Sequence, residues 1–284
     1  RSARPPRRRS RPAGAGTIRP MGDDLLDSLR GRAGALRDSA GQARDAARER
    51  AEAVRERAGA ARDRAREQIL ELAAKRPKLR GVSHQWACVA AVVAGAVLVW
   101  RAPSGRATAV ALVYALSMVG LFGVSALYHR VVWMPAARRW MRRLDHSMIY
   151  VFMAGSATPV ALLVVGGTLG TVLLCVAWGG ALLGAAMNLA WIDAPRALKA
   201  AGYVALGWVG LLALPEIVAV LGLVPTALFL GGGVIYTAGA VIYAKRRPDP
   251  CPAVFGYHEV FHALVIVAAL VQFVAVAGYV LPRG

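Results

Sequence analysis

His258 and His262 stand four residues apart in YHEVFH (Tyr257 to His262), the spacing that places two imidazoles one turn apart on one helix face and lets them share a metal ion. The same stretch spells the His-Glu-x-x-His of zinc peptidases. No His, Asp or Glu follows His262, however, so a third ligand has to come from elsewhere in the chain. His129, which ends SALYH, is the best-placed imidazole, and Ser125 lies one turn back on the same helix face. Asp145, in RRLDHSMIY, supplies an acid to orient an imidazole or a metal-held water. Three imidazoles with one open position suit Zn²⁺, which lowers the pKa of a bound water to roughly 7, so the chemistry these residues imply is hydrolysis.

The elements that position them belong in a membrane. The chain has 284 residues, 57% of them hydrophobic, yet it carries 35 Lys+Arg against 16 Asp+Glu for a net charge of +19. Splitting at Gly81 separates the two tendencies: residues 1 to 80 hold 22 of the basic and 11 of the acidic residues, leaving 13 and 5 for the rest. Charges that thin, interrupted by uncharged stretches of about 20 residues or more, fit repeated membrane crossing and exclude a water-soluble enzyme. Cys88, Cys175 and Cys251 each stand alone and make neither a disulfide framework nor a Cys-pair metal site. Charge-poor runs and Gly/Pro breaks mark seven candidate spans, at 82 to 100, 107 to 128, 146 to 165, 168 to 190, 201 to 221, 226 to 244 and 257 to 281. Each is long enough for roughly 30 Å of hydrocarbon. Ser147 to Ile192 runs 46 residues without a charge, and Gly166-Gly167 is the expected turn within it.

Basic residues orient the spans. With the N-terminal side inside, Arg130, Arg138, Arg139, Arg142, Arg143, Arg196, Lys199, Lys245, Arg246 and Arg247 fall on inside connections, against Arg101, Arg106 and Arg283 outside. That bias puts the N-terminus in the cytoplasm and the C-terminus outside. Trp86, Trp100, Trp133, Trp140 and Trp191 lie near span ends, as interface anchors should. All five histidines then sit at cytoplasmic ends: His84 opens the first span, His129 closes the second, His146 opens the third, and His258 with His262 opens the seventh. A metal site at that depth lies close to the acyl linkages of inner-leaflet lipids, so the expected substrate is lipid-like.

The remaining polar residues read as follows. His84 and His146 are expected to be snorkelling or hydrogen-bonding interfacial side chains. Glu259 points about 100° away from His258, which leaves it open to pair with a basic loop residue instead of acting as a base. Asp193, Asp249 and Arg196 read as ordinary loop charges, and Glu216, after Pro215, as part of a kink or outer surface in the fifth span.

The N-terminal eighty residues are different in kind. Residues 1 to 20 are Arg/Pro/Gly-rich, with seven arginines and no acids; they read as disordered or untranslated, with Met21 as the expected start and no signal peptide in view. Residues 21 to 76 read as an Ala/Arg/Glu-rich helical or coiled-coil-like extension. Within it, RERAEAV, RERAGAA and RDRAREQ form a seam of Ala47, Ala51, Val54, Ala58, Ala61 and Ala65. A partner helix along residues 44 to 68 or an anionic lipid surface competes there with a solvated helix held by local Glu/Arg pairs. Interleaved acids and the lack of aromatics argue against nucleic acid.

LRGVSH, SALYHR, LDHSMIYVFMAGSATP and FGYHEVFH together resemble the hemolysin III family, which groups with the progestin and adiponectin receptor proteins and, more distantly, the alkaline ceramidases. The resemblance covers about residues 77 to 281. It implies a seven-helix bundle with zinc near the cytoplasmic face on His129, His258 and His262, with Asp145 contacting the zinc-held water and Ser125 in the same motif. It links the eukaryotic receptor branch to ceramide hydrolysis and gives the bacterial branch a cytolysin name. The expectation is therefore an all-α polytopic protein of a bacterial plasma membrane, its membrane domain at 77 to 284, hydrolysing a lipid-like amide or ester with Asp145 and Ser125 catalytic. Its partners would be membrane lipids and that substrate. The rival reading makes the zinc structural, tying the second and seventh spans together in a sensor or a protein that alters membrane permeability. A retinal pump is excluded, because the only lysines past Gly81, Lys199 and Lys245, read as loop-end residues.

Overall fold

The computed structural model describes residues 21–74 and 77–284. The expectations for residues 1 to 20 lie outside the described residues. Contacts divide the chain into residues 1–64 and 65–284. Helix α1 (Met21–Ala74) is continuous and rich in Ala, Arg and Glu. The expected seam along it is exposed, apart from half-buried Ala65.

Seven helical stretches are long and apolar enough to cross a membrane, which makes this a multi-pass, all-helical membrane protein. They are α2 (Val82–Trp100), α3 (Gly105–Arg130), α4 (Pro135–Pro159) with its π-helical continuation Val160–Val165, and α5 (Gly167–Ala190). A fifth span joins α6 (Arg196–Gly207), a 3₁₀ turn (Val209–Ala213) and α7 (Leu214–Leu221). The last two are α8 (Leu223–Lys245) and α9 (Tyr257–Ala275), the latter extended by short π and 3₁₀ turns to Arg283.

Local chemistry sets the ends. Ser104 caps α3 by accepting the Ala107 N–H at 3.2 Å. The expected turn in the long uncharged run is real: Gly166 and Gly167 both take positive φ, 63° and 54°, which side chains with a Cβ rarely adopt. Two expectations fail at the basic connections. The third span does not begin near 146 but at Pro135, whose missing N–H costs nothing at a helix start. Its first turns are Arg-rich, so a hydropathy reading sees only the apolar remainder. Lys199 is not a loop-end residue either. It lies in the first turn of α6, 1% exposed, and donates to the Ile192 carbonyl, while Arg142 bridges Asp193 at 2.9 Å. The break in the fifth span precedes Pro215 and is a 3₁₀ turn, after which Pro215 restarts the helix from its first turn.

Neighbouring spans pack in sequence order, α2 on α3, α3 on α4 and α4 on α5, while α8 packs on α9 and on α6, and α9 returns to α2. Lipid is as apolar as leucine, so close approach and hydrogen bonds hold such helices together. Tyr150, for example, fills the space beside Gly184 and Gly202. Trp178 donates to Thr158 at 3.1 Å and Trp208 to Thr237 at 3.0 Å. The largest core cluster joins α2, α3, α4 and α9 around Tyr114, Met118, Phe122 and Phe152. Those four helices also carry the histidines.

Candidate metal centre

The start of α9 is pinned before its histidines appear. The Gly256 N–H donates to Glu259 Oε2 at 2.9 Å, and the Tyr257 N–H donates to Asp249 Oδ1 at 2.7 Å. Asp249 is thus a helix-terminus acceptor and not an idle loop charge. His258 and His262 follow on one face, both buried. His129 reaches them from the last turn of α3. Its Nε2 lies 3.2 Å from His258 Nε2, and one ligand atom from each of His129, His258 and His262 falls within 4.8 Å of the other two. Tetrahedral ligation at about 2.0–2.1 Å per nitrogen sets ligand nitrogens about 3.3 Å apart. The three imidazoles are close enough that they could share one metal ion.

Asp145 stands beside them. Its Oδ2 is 4.0 Å from His129 Nε2 and 3.3 Å from His146 Nδ1, and Ser125 hydrogen-bonds the same side chain. His146 in turn meets Tyr243 of α8, Nε2 to hydroxyl, at 3.2 Å. The carboxylate is oriented from two sides but lies outside the imidazole cluster, the arrangement in which an acid acts on what the cluster holds. His146 has the hydrogen-bonding role expected of it.

Glu259, the residue that makes the peptidase-like pattern, is committed elsewhere. It is 1% exposed, ion-paired to Arg80, and accepts the Gly256 N–H. Arg80 belongs to a short segment that binds the α8–α9 connection through Lys78 N–H to Ala253 C=O and Leu79 N–H to Val254 C=O, both 3.1 Å. Gly81 follows with φ 77°, and a Cβ there would lie 2.6 Å from His129 Cβ. One stretch of chain thus packs against both α3 and the start of α9.

His84 departs from expectation. Instead of snorkelling, it is 3% exposed and stacked flat on His262, with ring centroids 3.8 Å apart and planes 9° apart. Phe122 meets it edge-on at 5.1 Å, and neither ring nitrogen makes a well-aligned hydrogen bond, although the His262 backbone lies beside the ring. Its place at the start of the first span, within LRGVSH, was the available signal; the stacking was not readable from spacing.

A cavity of about 170 Å³ has His262, of the three clustered imidazoles, in its wall. His84, Ser125, Asp145 and His262 line one end, and the wall continues along α8 from Ala240 to Thr226. The fourteen residue steps from one to the other correspond to roughly 21 Å of helix. Most of the remaining wall is apolar, including Leu173, Ile217 and Phe229.

Residues 72–273 match the family model described as Haemolysin-III related, which takes in the whole histidine cluster and six spans with most of the seventh. The chain belongs to the haemolysin-III related family. Among similar haemolysin-III related proteins, Hemolysin-3 of Bacillus cereus is 30% identical over 206 residues, covering 71% of this chain and 90% of the relative. The Hemolysin-3 homolog of Bacillus subtilis (strain 168) is 29% identical over 168 residues, 59% of this chain and 75% of the relative. The haemolysin-III match starts inside the last turn of α1, so nearly all of that helix is additional to it.

Proposed function

We propose that this haemolysin-III related protein is a zinc-dependent hydrolase of lipid-like amides or esters, working at the cytoplasmic face of a bacterial plasma membrane. The observation that carries this reading is the cluster of three buried imidazoles, one of which, His262, lines a mostly apolar cavity together with Asp145 and Ser125. His129, His258 and His262 would hold the ion, and an all-imidazole donor set makes zinc the default. Bound zinc supplies Lewis acidity, lowering the pKa of a coordinated water to about 7.

The residues around the ion divide the remaining work. Asp145 accepts a proton from the attacking water as its oxygen bonds to the acyl carbon, and returns that proton to the departing amine or alcohol as the C–N or C–O bond breaks. Ser125 and His146 hold the Asp145 carboxylate in line. The apolar wall along α8 takes the acyl chain and excludes water from the reacting carbonyl. Glu259, occupied by Arg80 and the helix start, takes no part in proton transfer.

The test is elemental analysis of the purified full chain beside His129→Ala and His262→Ala, followed by turnover of long-chain acyl amides and esters against soluble peptides. About one zinc per chain, lost in both variants and accompanied by lipid turnover, is expected. Zinc without turnover of any acyl substrate would make the metal a structural tie in a sensor or permeability protein. Faster turnover of soluble peptides would rule out the lipid substrate.

A further inference from the structure

Resting on that hydrolase reading, we propose that His84 donates a hydrogen bond to the carbonyl oxygen of the substrate's scissile acyl group. It would be a catalytic residue in addition to Asp145 and Ser125. His84 is the only residue of α2 that lines the cavity. It shares the cavity wall with Ser125, Asp145 and His262, so its ring borders the same space as those residues.

Two observations separate it from a packed core histidine. Both ring nitrogens are buried and neither makes a well-aligned hydrogen bond, the His262 backbone being the one hydrogen-bonding group beside them, an arrangement that native interiors avoid unless a water or ligand completes it. The ring plane is also fixed, by the stack on His262 and the edge contact with Phe122, so the nitrogens keep a constant direction beside the cluster. Its nitrogens are not among those of the three imidazoles that converge on one point. A neutral imidazole always carries one N–H donor. As water adds to the acyl carbon, the carbonyl oxygen gains negative charge, and a donor already in place strengthens its bond at that moment with no reorganisation. Asp145, an acceptor, serves the water; His84, a donor, serves the oxygen.

His84→Phe keeps a flat ring for the stack and removes only the nitrogens, whereas His84→Gln removes the ring and restores a donor. The zinc-loaded full chain in lipid nanodiscs would be assayed with the dodecanoyl amide of 7-amino-4-methylcoumarin. Dodecanoate binding gives a readout that needs no turnover. The expected result for His84→Phe is unchanged zinc per chain, kcat reduced about 10²–10³-fold with little change in KM, and roughly tenfold weaker dodecanoate binding. His84→Gln should recover at least tenfold of the lost kcat. Wild-type kcat in His84→Phe would overturn the proposal, as would loss of zinc, which would make His84 a ligand, or a Gln variant no better than Phe. If His84→Phe does not fold, His84→Leu against His84→Gln decides by the same ratio. A zinc-loaded wild type that neither hydrolyses the amide nor binds dodecanoate defeats the hydrolase reading itself, whereas wild-type turnover with an indifferent His84 defeats only this assignment.

Discussion

Arg80 and Glu259 form an ion pair in which the carboxylate is almost wholly buried and the guanidinium partly so. Removing the arginine alone strands a buried charge, which costs about 3–5 kcal/mol. Arg80→Ala should therefore lower the thermal midpoint in detergent more than the double variant Arg80→Ala/Glu259→Gln does, because the second change discharges the stranded carboxylate. Glu259→Gln alone should keep its zinc and lose less than tenfold in turnover. A far larger loss of turnover in a stable, zinc-loaded Glu259→Gln would restore glutamate as the base.

Gly81 and Gly222 both take positive φ, 77° and 83°, but with ψ of −2° and −178°, and their surroundings also differ. A Cβ at Gly81 meets His129 Cβ at 2.6 Å, whereas one at Gly222 meets nothing within 4 Å. Left-handed backbone costs Gly81→Ala about 1–2 kcal/mol, and the essentially glycine-only conformation of Gly222 strains Gly222→Ala at least as much, which makes it a stringent control for strain alone. Only Gly81→Ala should also displace His129, so zinc per chain should fall in Gly81→Ala and stay whole in Gly222→Ala. Equal zinc content in the two would show that the 77–81 segment does not hold the histidine in place.

Asp145→Asn should leave the three imidazoles and their metal in place while reducing turnover by about 10²–10⁴-fold, the usual contribution of a positioned acid–base group. Ser125→Ala, which removes a hydrogen bond to that carboxylate, should cost less. Measuring zinc and kcat on the same preparations checks both. Loss of metal from Asp145→Asn would move the aspartate into the ligand set.

Cys251 lies exposed in the α8–α9 connection, on the histidine side of the bundle. If the positive-inside bias sets the orientation, a membrane-impermeant maleimide should label it in inside-out vesicles and not in intact spheroplasts. Cys175 lies within α5 and supplies the background in both preparations. Labelling of Cys251 in intact spheroplasts would invert the topology.

Much of the architecture was legible because hydrocarbon imposes a simple rule. A span must be apolar and about 20 residues long, and the seven expected stretches fall inside the seven observed ones. The rule is silent where charge and helix coexist. It missed the first turns of α4, where Arg138 to Arg143 ride on a helix that starts at Pro135, and it missed the burial of Lys199 against the Ile192 carbonyl. The meeting of His129 with His258 and His262 was legible from shared depth, since helix spacing fixes one face and topology fixes the level. The His84 stack and the Arg80 clamp were not, because both depend on helix rotation and on a loop conformation that no periodicity encodes.

The imidazoles that converge on one point are far apart in the chain: His258 lies 129 residues after His129. During synthesis at about 5–20 residues per second, the ribosome needs on the order of 10 s to travel between them. A nascent chain that has inserted its first six spans thus holds one imidazole of the three and no site. On the proposed hydrolase reading, reactivity toward the surrounding lipid would be withheld until the last helix enters the bilayer and docks, so an unfinished or C-terminally truncated copy would be chemically silent in the membrane that houses it.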